Sequence, residues 1–318
     1  MAATLWDVVI VGAGPAGLSA ALVLGRACRK VLLCDRGTPR NWASKQMNGF
    51  LTRDGIEPRQ FRELSHRELA QYPQVKFRSA RVTAAELLPD ATFRVTFSNA
   101  STARTRKLLL ATGLFDRLPP LKGIDKFFGT SAFQCPYCHG WENRDRAVAV
   151  YGQGQRGFEM ARALTAWTRD VILCTNDGPE LSPRAKRELQ RNSIELRTAP
   201  IARLEGSAGK LKRIVFQDGS SIERTALFFD TPSTEQSDLA RSIGCQFSEN
   251  GGVKCGTHSA TSVPGVFVAG NIIRDVQLAI VAAAEGTRAA FGINRSLTRE
   301  DFARKATGEK RVEHAFPK

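Results

Sequence analysis

The sequence predicts an α/β protein built on two dinucleotide-binding, Rossmann-like units. Three observations carry that prediction. An apolar run, Asp7 to Val11, leads into Gly12-Ala13-Gly14-Pro15-Ala16-Gly17. A second run, Ala147 to Tyr151, leads into Gly152-Gln153-Gly154-Gln155-Arg156-Gly157. Between them stands Cys135-Pro136-Tyr137-Cys138, two cysteines spaced to close a small disulfide ring and reopen it.

In the first unit Asp7 to Val11 reads as a buried parallel strand. Gly12 permits the tight turn, and Gly14 lets the backbone approach a pyrophosphate. Gly17 lets the following helix, Leu18 to Leu24, pack close to the strand. The helix N-terminus offers free N–H groups to phosphates. Lys30 to Cys34 is the second strand, and Asp35 closes it with a carboxylate placed to accept from a ribose. Residues 36–60 are polar, rich in Gly, Pro and Arg, and read as a loop region. Arg59 to Gln71 has helical spacing; Val75 to Val82 and Thr92 to Phe97 alternate as strands. Lys107 to Leu110 is another buried strand. It ends in Ala111-Thr112-Gly113, small residues that suit a close cofactor or an ordinary turn.

Leu118-Pro119-Pro120-Leu121-Lys122-Gly123 reads as a linker between domains. After the cysteines come the second fingerprint, a helix from about Phe158 to Trp167, and the strand Val171 to Cys174. Ile194 to Ile201, Leu211 to Phe216 and Leu227 to Asp230 read as strands, with Asp218-Gly219 as a hairpin turn. Val266 to Val268 is again a strand, leading into Ala269-Gly270-Asn271. A long alanine-rich helix is expected from Val276 to Gly292. Beyond Asn294 the chain is charged and polar and reads as a disordered tail. A redox-active cysteine pair between two nucleotide-binding units points to electrons passing through a flavin to a disulfide. On that reading the tail has a sharper alternative, a lid over the site.

Composition narrows the function classes. The 318 residues suffice for two domains with sizeable cores. No apolar run reaches the length of a membrane span, and Met1 to Trp6 carries no basic leader. Seven scattered cysteines do not form a secreted disulfide framework, so the expected home is a reducing cytoplasm. The net charge of +15 is spread over dispersed cations such as Arg184, Lys186, Arg187 and Arg191. That suits a solvated basic face or an acidic protein partner; no nucleic-acid module is present.

These motifs, in this order, resemble the low-molecular-weight thioredoxin reductase family of flavoproteins. The carrying residues are the Gly12, Gly14, Gly17 fingerprint, Ala111-Thr112-Gly113, the Cys135–Cys138 stretch, the fingerprint at Gly152, and Thr261 to Asn271. The form Cys-Pro-Tyr-Cys-His-Gly-Trp-Glu also resembles a branch that includes fungal oxidases of small dithiol natural products. The resemblance implies an FAD domain in two segments, 1–117 and 245–318, with a nucleotide domain, 118–244, inserted into it and carrying the cysteines. It implies a homodimer, Cys138 next to the flavin C4a position, and Cys135 exchanging with the substrate disulfide. Family FAD positions fall on Gly12, Gly14, Pro15, Ala16, Gly17, Asp35, Asn48, Thr112, Gly113, Asn271 and Gln277. No metal site is expected.

Several positions depart from the family. Asn271 stands where Asp is usual, and Gln277 where Arg is usual. His139 replaces an aspartate that donates a proton; imidazole titrates near neutrality and could do the same. The cations that hold an NADPH 2′-phosphate are replaced by Thr175-Asn176-Asp177, and Leu181 lies beyond. Asp177 would repel that phosphate. The family's Gly-x-x-Pro-Asn segment is replaced by Asp230-Thr231-Pro232-Ser233-Thr234. NADPH is therefore disfavoured, NADH could be held through Asp177, and a donor such as acidic ferredoxin would suit the basic chain. The substrate would be a thioredoxin-like protein or a small disulfide.

Cys135-x-x-Cys138-His139 also spells a haem c attachment site, but without an export leader. A zinc site would need a second ligand pair, and Cys174, Cys245, Cys255 and His258 stand singly. Two function classes remain: a flavoenzyme working on disulfides in either direction, and a flavin-binding redox sensor without turnover.

Overall fold

The computed structural model describes residues 4–306. The chain forms two compact units. Of the described residues, the first comprises those up to Arg40, Arg59–Phe115, and those from Glu235 to Ala306; the second comprises Asn41–Pro58 and Asp116–Thr234.

The first unit opens with β1 (Leu5–Val11), α1 (Pro15–Arg26) and β2 (Val31–Asp35), followed by α2 (Pro58–Leu69) and β3 (Val75–Ser79). The antiparallel arm β4 (Val82–Leu87) and β5 (Phe93–Phe97) leads into β6 (Thr102–Leu110). The chain crosses on β7 (Leu114–Asp116). The second unit contains β8 (Ala132–Phe133), α3 (Pro136–His139), β9 (Val148–Tyr151), α4 (Gly154–Leu164) and β10 (Val171–Cys174). It continues with α5 (Pro183–Arg191), β11 (Glu195–Arg197), β12 (Ile201–Ser207), β13 (Lys210–Phe216), β14 (Ser221–Glu223) and β15 (Ala226–Phe229). The chain returns on β16 (Ser233–Glu235), which pairs with β7. It closes with α6 (Leu239–Ser242), β17 (Val266–Val268) and α7 (Ala279–Ala306).

The first sheet runs β3-β2-β1-β6-β5-β4, and β17 pairs with the far end of β6. Strands β3, β2, β1, β6 and β17 are mutually parallel. Val8 to Val11, Val31 to Cys34 and Leu108 to Leu110 are buried almost completely because both faces of the parallel sheet are covered, one by α1 and α7, the other by the β4–β5 arm, α6 and residues 245–253. The second unit has a five-stranded parallel sheet, β11-β10-β9-β15-β8, and a three-stranded antiparallel sheet, β12-β13-β14.

Four readings of the sequence change. The run from Val75 to Val82 is two strands, because the chain leaves the parallel sheet after Ser79 and starts the antiparallel arm at Val82. The run from Ile194 to Ile201 is also two strands, interrupted before Pro200, which has no N–H to donate to a ladder. Residues 41–58, taken with the first segment, belong to the second compact unit, and the return crossing comes at Glu235. The expected tail after Asn294 is helical as far as Ala306.

The last change has a clear cause. Arg29 donates to Asn294, Thr298 and Asp301 on α7. Arg106 pairs with Asp7 at 3.1 Å, Glu300 at 3.0 Å and Asp301 at 2.7 Å, and Lys107 pairs with Glu300. Polar residues that look solvated in the sequence are consumed by this clamp. His314 and Phe316 of the expected tail lie outside the described residues.

Candidate active site

Hydrogen-bond register brings most of the expected cofactor residues to one edge. Val11 is level with Cys34 and Leu110, and Val268 is level with Leu110. The residues that follow, Gly12, Asp35, Ala111-Thr112-Gly113 and Ala269-Gly270-Asn271, therefore emerge together at the carboxyl ends of parallel strands. In open α/β sheets that edge is where ligands bind.

Gly12 has φ +109°, and a Cβ on it would lie 2.2 Å from the Ala111 carbonyl oxygen. A Cβ on Gly17 would lie 1.8 Å from the Gly12 carbonyl oxygen. Both glycines are needed by the turn itself. Gly14 differs: a Cβ there would meet nothing within 4 Å. It stands at the N-cap of α1 with no side chain capping the helix, and Pro15 occupies the first turn. Backbone N–H groups there are available to a phosphate.

The polar residues around this edge fit a dinucleotide. Thr112 Oγ1 is buried and has no hydrogen-bond partner among the described residues. Such an atom is costly unless a bound group satisfies it. Asp35 is held by Arg62 at 2.5 Å, which fixes its carboxylate at the strand end. Asn271 opens a short 3-10 turn after Gly270, whose N–H donates to buried Glu285 at 2.7 Å. Gln277 accepts from Arg40 at 2.5 Å. Asn48 lies in the second unit and donates to the Cys138 carbonyl at 2.8 Å.

In the second unit Cys135 and Cys138 are joined as a disulfide, with Cα atoms 5.2 Å apart. Cys135 is the N-cap of α3, and its sulfur accepts from the Cys138 N–H at 3.1 Å. Pro136 fits the first helical position because its fixed φ suits the turn and its missing N–H costs nothing there. Tyr137 and Trp141, on either side of Cys138, are exposed. His139 stacks on Phe133, with ring centroids 4.2 Å apart. Burial pushes its pKa down to about 4. The imidazole is thus neutral at neutral pH, where the isolated residue type would be about a quarter protonated.

The second fingerprint repeats the glycine geometry, including a middle glycine, Gly154, whose Cβ would meet nothing within 4 Å, but its polar surroundings differ. Cβ atoms on Gly152 and Gly157 would each strike the other glycine's backbone, at 2.6 Å and 2.4 Å. These glycines serve the strand–helix contact. Gln153 turns back over Gly178, where a Cβ would be only 2.4 Å from the Gln153 side chain, and donates to the Thr175 carbonyl at 3.3 Å. Asn176 accepts from the Ile201 N–H at 2.7 Å, and the Asp177 N–H donates to Thr198 at 2.8 Å. Arg156, on the first turn of α4, pairs with Asp230 at 2.5 Å. Sequence reasoning missed Gln153, Arg156 and Asp230 as interacting groups; only the unusual bulk and charge inside the fingerprint hinted at them.

The architecture and motif order match one family over most of the chain: pyridine nucleotide-disulphide oxidoreductase, across residues 6–286. The chain belongs to that family. A probable thioredoxin reductase of Arthroderma benhamiae is 29% identical over 302 residues, covering 85% of this chain and 74% of the relative. The solved structure of a putative thioredoxin reductase, TrxB, from Bacillus anthracis is 32% identical with TM-score 0.88, covering 93% of this chain and 99% of the other. That of HlmI is 33% identical with TM-score 0.92, covering 95% and 96%. This family member is a thioredoxin reductase-like, flavin-dependent disulfide oxidoreductase with two Rossmann-like domains, the second inserted into the first. The family implies FAD and a nicotinamide cofactor. Among the described residues no helix is long and apolar enough to cross a membrane.

Proposed function

We propose that the chain passes electrons between FAD, the Cys135–Cys138 pair and a substrate disulfide, and that it does so without NADPH. The carrying observation is the Cys135–Cys138 disulfide on α3, within a chain whose first sheet presents a dinucleotide-fitting edge. Bound flavin would supply the electron pair that opens the disulfide. Cys135, as thiolate, then attacks one sulfur of the substrate disulfide and releases the first substrate thiolate. Cys138 thiolate attacks Cys135 in the mixed disulfide, which restores the internal bond and releases the second thiolate. Two thiols are oxidised and one disulfide is reduced, so the exchange balances. With its pKa near 4, His139 is neutral at neutral pH and poorly suited to the proton-donor role that the resemblance implies, so the protons of the exchange would come from and go to solvent.

Gln153 on Gly178, the Arg156–Asp230 pair and the absence of a cation in Thr175-Asn176-Asp177 support the donor part of the reading. The net charge of +15 favours an acidic donor protein of the ferredoxin type, acting on a homodimeric, cytoplasmic enzyme. Substrates of this reading are a thioredoxin-like protein or a small disulfide. Oxidation of a small dithiol would use the same steps in reverse, with oxygen as the acceptor of the electron pair.

The test is an anaerobic titration of the yellow protein with NADPH, NADH or reduced ferredoxin. Bleaching of the flavin and release of two thiols by reduced ferredoxin alone is expected. Rapid bleaching by NADPH would refute the donor assignment. A colourless protein that takes up no FAD would refute the whole reading.

A further inference from the structure

The redox turn is held from outside its own disulfide. Helix α3 is a single turn, too short to keep its shape by its own hydrogen bonds. At its far end the chain passes into a 3-10 turn, Trp141–Asn143, and the last carbonyls of α3 need other donors. Two asparagine amides supply them. Asn48 donates to the Cys138 carbonyl at 2.8 Å. Asn143 gives its backbone N–H to Gly140 at 3.1 Å and its side-chain amide to the His139 carbonyl at 2.8 Å. The two amides thus grip successive carbonyls, the first of them that of the second redox cysteine.

Both amides are themselves fixed. Asn143 is buried. Asn48 stands in an irregular hairpin, residues 41–58, whose antiparallel bridge joins Met47 and Ile56. Met47 N–H donates to Ile56 at 2.8 Å, Gly55 N–H to Met47 at 3.1 Å, and Gly49 N–H to the Asp54 carboxylate at 2.8 Å. A Cβ on Gly129 would lie 2.2 Å from the Ala43 carbonyl oxygen, so the start of the hairpin rests directly on backbone of the second unit. Trp42 meets Phe128 edge-on, with ring centroids 6.1 Å apart. The Asn48 amide therefore has little freedom to follow α3 if that turn moves.

We propose that Asn48 and Asn143 are positioning residues that hold the redox turn in its closed shape and so set how readily the Cys135–Cys138 bond is reduced. The closed ring holds Cys138 in place, and with it the carbonyls that follow; if an amide is lost, its carbonyl stays where it is and goes uncapped. With the bond open, the turn can relax and bring those carbonyls to water. Capping therefore favours the disulfide over the dithiol. One such hydrogen bond is worth up to about tenfold in an equilibrium constant. The Cys138 N–H bond to the Cys135 sulfur favours the open form instead, since it stabilises a thiolate, but it is local to the start of α3 and depends on neither amide. The inference rests on the proposed function only in taking the pair as a working redox couple.

The experiment equilibrates FAD-loaded wild type, Asn48→Leu and Asn143→Leu under argon with reduced and oxidised glutathione, or with reduced and oxidised dithiothreitol where glutathione leaves the pair closed. Thiols are acid-quenched and alkylated, and open and closed Cys135–Cys138 peptides are counted by mass spectrometry. In each exchange two protein thiols are oxidised as one buffer disulfide is reduced to two thiols, so the buffer ratio reads the potential. Leucine keeps the bulk of asparagine and removes its donor. Each variant should need an about tenfold more oxidising buffer to close half of the pair, a rise of about 30 mV for a two-electron couple. An amide that only steadies the fold costs the open and closed forms equally, so urea stability would fall while the potential stays. An unmoved or lowered potential in either variant would overturn the inference and leave the proposed function standing. A wild-type pair that no buffer opens would overturn both. Asn143 is not among the family FAD positions, so its shift cannot come through the cofactor. If Asn143→Leu does not fold, Asn48→Leu decides, measured with and without FAD, and the shift must appear in both.

Discussion

His139 offers a test in which acid, not catalysis, is the perturbation. Its pKa falls from 6.5 to about 4 because the stacked, half-buried ring is too poorly solvated to be charged at low cost. The unfolded chain therefore takes up a proton below about pH 6.5 that the folded chain refuses until about pH 4. Stability is fully retained above the unfolded value and is lost as pH falls through this window. Each pH unit in the window costs about 1.4 kcal/mol, so the full loss is about 3 kcal/mol. His139→Phe keeps a ring against Phe133 and removes the titration. Urea unfolding at pH 7 and pH 4.5, followed by Trp fluorescence and circular dichroism, measures both proteins. The wild type should lose about 2–3 kcal/mol more than the variant between the two pH values. An equal loss in both would show that the ring is solvated or paired in solution, and the burial argument would fail.

Other outcomes follow from the same geometry. Cys135→Ser should cut disulfide turnover by at least about a thousandfold while the protein stays yellow; assays of turnover and of bound FAD check both halves. Gly17→Ala forces a Cβ to within 1.8 Å of the Gly12 carbonyl and should lower stability by about 3 kcal/mol and release FAD, read by melting and absorbance. Arg106→Met leaves the buried Asp7 carboxylate with only the Lys30 N–H and weakens the hold on Glu300 and Asp301, for a loss of about 3 kcal/mol in urea unfolding. NADPH should bind more weakly than about 100 μM by equilibrium titration. A micromolar constant would mean that Gln153 and the Arg156–Asp230 pair yield readily.

Much of the frame was legible because it depends on local chemistry. Apolar runs followed by small residues gave β1, β6, β9 and β17, and the glycines marked where two of them turn into helices. What escaped depends on distant partners. Glu300 and Asp301 look like tail residues until Arg29, Arg106 and Lys107 meet them across the first unit. The His139 side chain suggests a titration near neutrality until Phe133 buries it. Asn48 is expected among the cofactor residues by position, but its contact with the Cys138 carbonyl is not visible in any sequence pattern.

The two fingerprints show why glycine spacing alone is a poor witness to a ligand. In both, the outer glycines are demanded by the chain: Gly17 by the Gly12 carbonyl, Gly157 by Gly152. Replacing either would damage the fold whether or not anything binds. Such glycines therefore persist in a unit that has lost its ligand as readily as in one that keeps it. The polar groups carry the distinction. At the first edge Thr112 Oγ1 is buried and unpartnered among the described residues, a cost that bound dinucleotide would remove. At the second, Gln153, Asn176, Arg156 and Asp230 already satisfy one another or the backbone, so a dinucleotide would have to break bonds before making its own. The first copy thus has a polar group left for a ligand while the second pairs its own, and this difference is what supports the proposal that flavin binds the first and NADPH does not bind the second.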